Sequence, residues 1–305
     1  MKRALGLTLI TLLAALALLA AGRGVAGEQG KVEGDAIAGG RIYDNWILAL
    51  DTAPPQQDQP LWAQQESNQR GGVITWRCVE CHGWDYKGAD GAYGPYSNHY
   101  TGFTGLDGMI GASQDQVLAW LDGTNNPEHN FLQPTNATAL NDLAAFLRTM
   151  QVNTDLLIDP DTGAALGDND AGRDLYESAC ASCHDDNGAK INFGSNLEPL
   201  YLGDIAVGDP WQAMHKIRFG SPTTGRMPSS EEENWSLSMA ADVLAYMQTL
   251  QRGNPDFAIL SANPDQPVPV EQQARIDPLV WGAFAIMAVV GLSVAWDLFF
   301  KRQPL

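Results

Sequence analysis

Four cysteines occur in this 305-residue chain, and all fall in two matching pentads, Cys78-Val79-Glu80-Cys81-His82 and Cys180-Ala181-Ser182-Cys183-His184. Two thiols at i and i+3 can each bond one vinyl-derived carbon of a porphyrin, and the adjacent His then offers a nitrogen to the iron. The spacing predicts two covalently attached c-type haems. Cys78, Cys81, Cys180 and Cys183 would hold the porphyrins, with His82 and His184 as proximal iron ligands. Other uses of C-x-x-C fit less well. A thioredoxin-like site needs a βαβ setting, and neither pentad follows an apolar β-branched run. A zinc ribbon needs two pairs about 15–20 residues apart, whereas roughly a hundred residues separate these. Two disulfides leave the His that follows both pairs without a reason.

The elements that must position the pentads are expected to be helices, and they repeat. Asp142-Leu143-Ala144-Ala145-Phe146 matches Asp242-Val243-Leu244-Ala245-Tyr246, with apolar residues at helical spacing in both. Upstream, Gly39 and Tyr43 match Gly172 and Tyr176 in type and separation. Each unit then has an opening helix with Gly and Tyr, a pentad, a middle region and a closing helix with an aromatic. In this plan the chain resembles the class I cytochrome c family, whose first and last helices cross at a Gly–aromatic contact. The resemblance implies an all-α fold of two tandem cytochrome c domains, at residues 28–155 and 156–253.

The two units are not alike in detail. Tyr176 is followed by Cys180 after four residues, whereas Tyr43 and Cys78 are separated by a stretch rich in Pro and Gln, including Pro54, Pro55, Pro60 and Trp62. Its prolines prevent continuous helix, so it is expected to be a surface loop around the first haem unit. Residues 83–108, rich in Gly and Tyr, read as a further loop able to cover a haem edge. Residues 153–170 read as the connection between the units.

An electron-transfer haem takes a sixth ligand, commonly Met or His. In the second unit Met214, Met239, Met247 and His215 fall on or beside helices. Met227 lies in the polar turn Gly225-Arg226-Met227-Pro228, where core filling gives it no purpose and where the family carries its distal Met. Aligning Gly123 with Gly220 brings the register of Met227 onto Asn130, one residue past His129. The first haem is therefore expected to be ligated by His82 and His129, with His99 and then Met109 as alternatives. The family further implies that a Pro carbonyl holds the proximal His, which points to Pro199 for His184 and Pro95 for His82. Trp120, Tyr201 and Trp235 are candidates to line the haem crevices.

The flanks and the charge bound the setting. Lys2 and Arg3 followed by an apolar run at residues 4–21 predict an export signal over residues 1–27. Residues 279–300 form an apolar run of membrane-spanning length, with Trp281 and Trp296 near its ends and Lys301-Arg302 beyond. Residues 254–278 hold several prolines and predict a stiff linker to that transmembrane helix. Together they predict a body on the periplasmic face of the bacterial inner membrane, with a single C-terminal anchor and a short cytoplasmic tail. The net charge of −18 argues against nucleic-acid binding and favours redox protein partners with a basic docking face. The expected role is a respiratory electron carrier or an electron-transfer subunit of a membrane respiratory complex. The rival is a dihaem oxidoreductase of thiosulfate dehydrogenase or peroxidase type, with one catalytic haem. The first of these, as a family, uses a distal Cys, and every Cys here is spent on attachment.

Overall fold

A computed structural model of the chain describes residues 33–223 and 227–257. Its contacts separate Met1–Glu33 from Gly34–Leu305. The first of these units contributes only Glu33 to the described residues, and every helix described belongs to the second. Among the described residues there is no strand, only three isolated β-bridges, in keeping with the all-α expectation. No helix among them is long and apolar enough to cross a membrane. The expected signal at residues 1–27, nearly all of the 254–278 linker and the 279–300 membrane helix lie outside the described residues.

Four helices make two crossings. In the N-terminal half α1 (Ala36–Ala49) packs on α4 (Ala137–Thr149), with the short pentad helix α2 (Cys78–His82) and α3 (Gln114–Leu121) between them in sequence. In the C-terminal half α5 (Asn169–Ala179) packs on α9 (Leu237–Met247), with α6 (Ala181–His184), α7 (Leu202–Gly208) and α8 (Pro210–Phe219) between them. The closing helix α4 buries Leu140, Leu143, Ala144, Phe146 and Leu147, a stripe at helical spacing. Fully burying each of its large side chains contributes about 1.5–3 kcal/mol.

The crossings are built alike. Asp35 caps α1 and donates its own N–H to Asp142 Oδ1 at 2.7 Å; Asp168 caps α5 and donates to Asp242 Oδ1 at 2.7 Å. Gly39 and Gly172 lie so close to the Asp142 and Asp242 carbonyls that a Cβ at either would overlap backbone. Phe146 and Tyr246 pack against the same glycines. The predicted Gly–aromatic contact is thus present in both halves.

The halves are joined through α8, which packs on α1. His215, 1 % exposed, holds the Gly40 carbonyl through Nε2 at 2.9 Å and meets Tyr86 Oη through Nδ1 at 3.0 Å. Lys216 pairs with the buried Asp44, which also takes Arg77 at 3.0 Å. Arg41 donates to the Phe219 carbonyl and Arg218 to the Met150 carbonyl. On sequence grounds His215 is a candidate ligand; in the fold both of its nitrogens are taken by the opposite half. Met214 and Met247 are core residues, as their helical positions suggest.

Candidate haem sites

Each pentad folds as a single helical turn because the residue after its His reverses the chain. Gly83 (φ +73°) ends α2 and Asp185 (φ +62°) ends α6, both in backbone that glycine adopts most easily. The turn is pinned from the opening helix: Tyr43 Oη donates to the Gly83 carbonyl at 2.5 Å, and Tyr176 Oη to the Asp185 carbonyl at 2.7 Å. The shared spacing of Gly and Tyr on the opening helices therefore has the same use in each half. The Gly settles the helix crossing and the Tyr fixes the exit of the pentad.

None of the four cysteines is paired in a disulfide. Burial pushes the Cys78 thiol up to about 12 and the Cys180 thiol up to about 11. A disulfide exchanger or thiolate metal site depends on the opposite shift. Among the described residues no group of three or more His, Cys, Asp or Glu is gathered as a metal site of its own.

Around Cys78, Cys81 and His82 the chain encloses a cavity of about 290 Å³ with largely apolar walls, among them Tyr43, Leu106, Met109, Val117, Phe131 and Leu143. His129 lines it together with His82. The two imidazoles stand 6.3 Å apart between ring centres and at 77° to each other. Two imidazoles trans across a metal, each with a metal–nitrogen bond of about 2.0 Å, would place their ring centres roughly 6 Å apart. Nδ1 of His82 is 2.9 Å from the Thr104 carbonyl, and Nδ1 of His129 is 2.7 Å from the Trp120 carbonyl. A carbonyl only accepts, so each Nδ1 carries the proton and each Nε2 keeps its lone pair. Burial lowers the His82 pKa to about 4 and lowers that of His129 as well, which keeps both rings neutral. A neutral imidazole with a bare Nε2 is the form that binds iron, so the residues present fit a haem.

Of the two alternatives, His99 lies away from this cavity and Met109 does not. His99 is stacked on Tyr93 with ring centres 4.4 Å apart and bonded to Glu80 at 3.3 Å and Arg70 at 3.2 Å. Met109 and Trp120 line the cavity. Pro95 is not the partner of His82: the carbonyl comes from Thr104, because the 83–108 loop doubles back through the Gly88–Thr104 bridge and returns Thr104 to the ring. The Pro199 carbonyl packs against Gly253, while His184 Nδ1 is buried and without a hydrogen-bond partner. The insertion before Cys78 is more than a surface loop. It forms 3₁₀ turns at Pro60–Gln64 and Gly72–Trp76, and Gln59, Leu61 and Thr75 belong to the cavity wall.

Around the second pentad, Cys183 is exposed and His184 half-buried, with the Phe193 ring 6.4 Å from that of His184. Met227 is half-buried, and its carbonyl lies against Gly220. Gly123 lies against the Asn130 side chain. Both glycines have positive φ, +77° and +87°. Each glycine thus meets the residue seven positions on, and His129 sits one residue before Asn130.

Residues 167–247 match the family described as cytochrome C oxidase, cbb3-type, subunit III. No curated protein matches the chain. The matched stretch holds the second pentad, α5 and all of α9, so this part of the chain is a c-type cytochrome domain. Such a domain carries covalently bound haem c, and the chain is an electron-transfer haem protein.

Proposed function

We propose that the protein is a dihaem c-type cytochrome, anchored at the periplasmic face of the membrane, that passes single electrons between respiratory redox partners. The observation that carries a haem in the N-terminal half, beside the one implied at the second pentad, is the pair His82 and His129, with ring centres 6.3 Å apart in the wall of an apolar cavity that also holds Cys78 and Cys81. Cys78 and Cys81 would attach the first haem and His82 and His129 would ligate it; Cys180, Cys183, His184 and Met227 would do the same for the second. Haem supplies one-electron chemistry at iron when bound, tuned by its axial ligands.

The chain's own residues set the conditions for that chemistry. The Thr104 and Trp120 carbonyls fix the tautomer and direction of both rings in the first site, and apolar walls exclude water from it. His82 and His129 would both hold the iron of a first haem, and a haem so held would supply electron transfer rather than binding of oxygen or peroxide, which favours a carrier over a peroxidase. The matched family is named for an oxidase subunit, which agrees with a role as an electron-transfer subunit beside a membrane complex. The membrane anchor, the export signal and a partner with a basic face belong to this reading through the sequence.

Haem stoichiometry and low-temperature EPR of the oxidised full-length protein test it. Two haems per chain and two low-spin signals are expected, one of them converted to high spin by His129→Ala. One haem per chain would end the dihaem reading, and an unaltered pair of signals in His129→Ala would end the ligand assignment.

A further inference from the structure

The segment between Tyr43 and Cys78 has no counterpart before Cys180, and the facing histidine pair lies in the half that carries it. Its contacts say why. Gln59 is 4 % exposed and lines the cavity. Its Nε2 donates to the Glu128 carbonyl at 2.7 Å, one residue before His129. Its Oε1 accepts from Leu61 N at 2.6 Å, and its own N–H donates to Thr75 Oγ1 at 2.9 Å. The side chain is therefore held at both ends, and it holds the turn Pro127–His129 from outside. Gln64 adds a second grip, donating to Glu128 Oε2 at 2.7 Å.

On the His129 side the turn is short. It is a 3₁₀ piece capped by Asn126, whose side chain accepts from Glu128 N at 3.1 Å. A three-residue turn has little internal cohesion, since its hydrogen bonds are few and poorly aligned. Beyond its own cap, the turn is tied by the His129 ring to the Trp120 carbonyl and by the insertion to Gln59 and Gln64. Further along, Trp76 of the insertion meets Phe131 edge-on at 5.7 Å, two residues past His129.

We propose that the insertion is a ligand clamp and that Gln59 is the positioning residue that keeps His129 directed at the first iron site. The inference rests on the reading of His129 as the sixth ligand. It explains the asymmetry of the two halves: the second places a Met from its own loop, whereas the first recruits a His from a turn that an added segment must brace. Gln59 touches neither porphyrin nor iron in this role; it acts through the Glu128 backbone.

The test uses the full-length, haem-loaded protein. Gln59→Glu, measured at a pH where the carboxylate is ionised, keeps an oxygen for Leu61 N but has no proton to donate to the Glu128 carbonyl, and Gln59→Ala removes the donor at any pH. Losing that buried donor is expected to shift the bound-to-released ratio of His129 about tenfold, equivalent to about 1.4 kcal/mol. The readout is the appearance of high-spin EPR signal and of carbon monoxide binding by the reduced first haem, with the second haem's signal unchanged. Added imidazole should restore the low-spin state, which a general loss of structure would not allow. His129→Ala is the reference for complete release. If His129→Ala itself leaves the first signal low-spin, the ligand assignment falls and the clamp with it. If His129→Ala converts the signal while Gln59→Glu and Gln59→Ala stay low-spin and bind no carbon monoxide, the clamp is refuted and the ligand assignment stands. Should the Gln59 variants not take up haem, the exposed Gln64→Leu decides: new carbon monoxide binding supports the clamp, and none overturns it.

Discussion

His215 makes the joint between the two halves sensitive to acid, and the size of the effect can be worked out. The ring is 1 % exposed and packed against Trp84 and Phe219, with ring centres at 5.0 and 4.8 Å. The Gly40 carbonyl can only accept, so Nε2 carries the proton and Nδ1 accepts from Tyr86 Oη. A second proton would reverse the Tyr86 bond and bury a charge. Burial accordingly pushes the pKa down to about 3; nearby Asp44 raises it and Lys216 and Arg218 lower it further. In the unfolded chain the group titrates near 6.5. Below pH 6.5 the unfolded state binds more protons than the folded one, so stability is lost as pH falls from there towards the folded pKa. Between pH 7.5 and 5.0 the unfolded His gains about 1.5 units of protonation advantage, or about 2 kcal/mol at 1.36 kcal/mol per unit. Other groups titrate in the same window. Asp209, raised to about 8 by burial, stays protonated in the folded state and works the opposite way. The assay is therefore a difference: guanidinium unfolding of the wild type and of His215→Gln at both pH values, with all other groups shared. The variant is expected to lose about 2 kcal/mol less on acidification. Equal losses in the two proteins would show that His215 is not held neutral by the interface.

Two further outcomes are expected. An optical redox titration should resolve two waves, and Met227→His should lower only the higher one, because Met ligation raises the potential relative to His; a shift in the lower wave would misassign Met227. Gly172→Ala should destabilise the C-terminal half by about 1–3 kcal/mol or more, since the new Cβ would overlap the Asp242 carbonyl and force α5 off α9. Denaturant unfolding checks this, and a change below about 0.5 kcal/mol, the scale of an ordinary surface substitution, would remove the close crossing as a structural requirement.

The legible parts of this molecule are those written in short spacings. The pentads, the Gly–Tyr pairs on α1 and α5, and the apolar stripes of α4 and α9 each depend on residues within a turn or two of one another. Gly123 and Gly220, paired on sequence, both adopt positive-φ backbone, one against the Asn130 side chain and the other against the Met227 carbonyl. Spacing does not reveal which distant groups complete the sites. Thr104 rather than Pro95 meets His82 because the loop folds back through Gly88, a contact with no signal in local spacing. Gln59 reads as one polar residue among many in its segment, and only its reach to Glu128 gives it a role. His215 reads as a spare ligand on a helix, since no periodicity announces that α8 packs on the other half.

That packing bears on how the two sites work together. Tyr43 forms part of the first cavity wall and lies 5.7 Å, ring centre to ring centre, from His215; His215 lies 4.8 Å from Phe219; and Gly220, next in the chain, packs on the Met227 carbonyl. The contacts run from one candidate site to the ligand loop of the other without leaving packed protein. They are braced on both sides by Asp44 with Lys216 and by Arg218 with the Met150 carbonyl. Asp44 and Arg218 are both nearly fully buried, so opening this joint would expose or unpair polar groups that the fold now satisfies. On the proposed reading the separation of the two haems is therefore set by α8 rather than by a hinge at residues 153–170. Electron exchange between them would need no domain motion, and the rate of encounter with an outside redox partner would depend on ionic strength through the chain's net charge of −18.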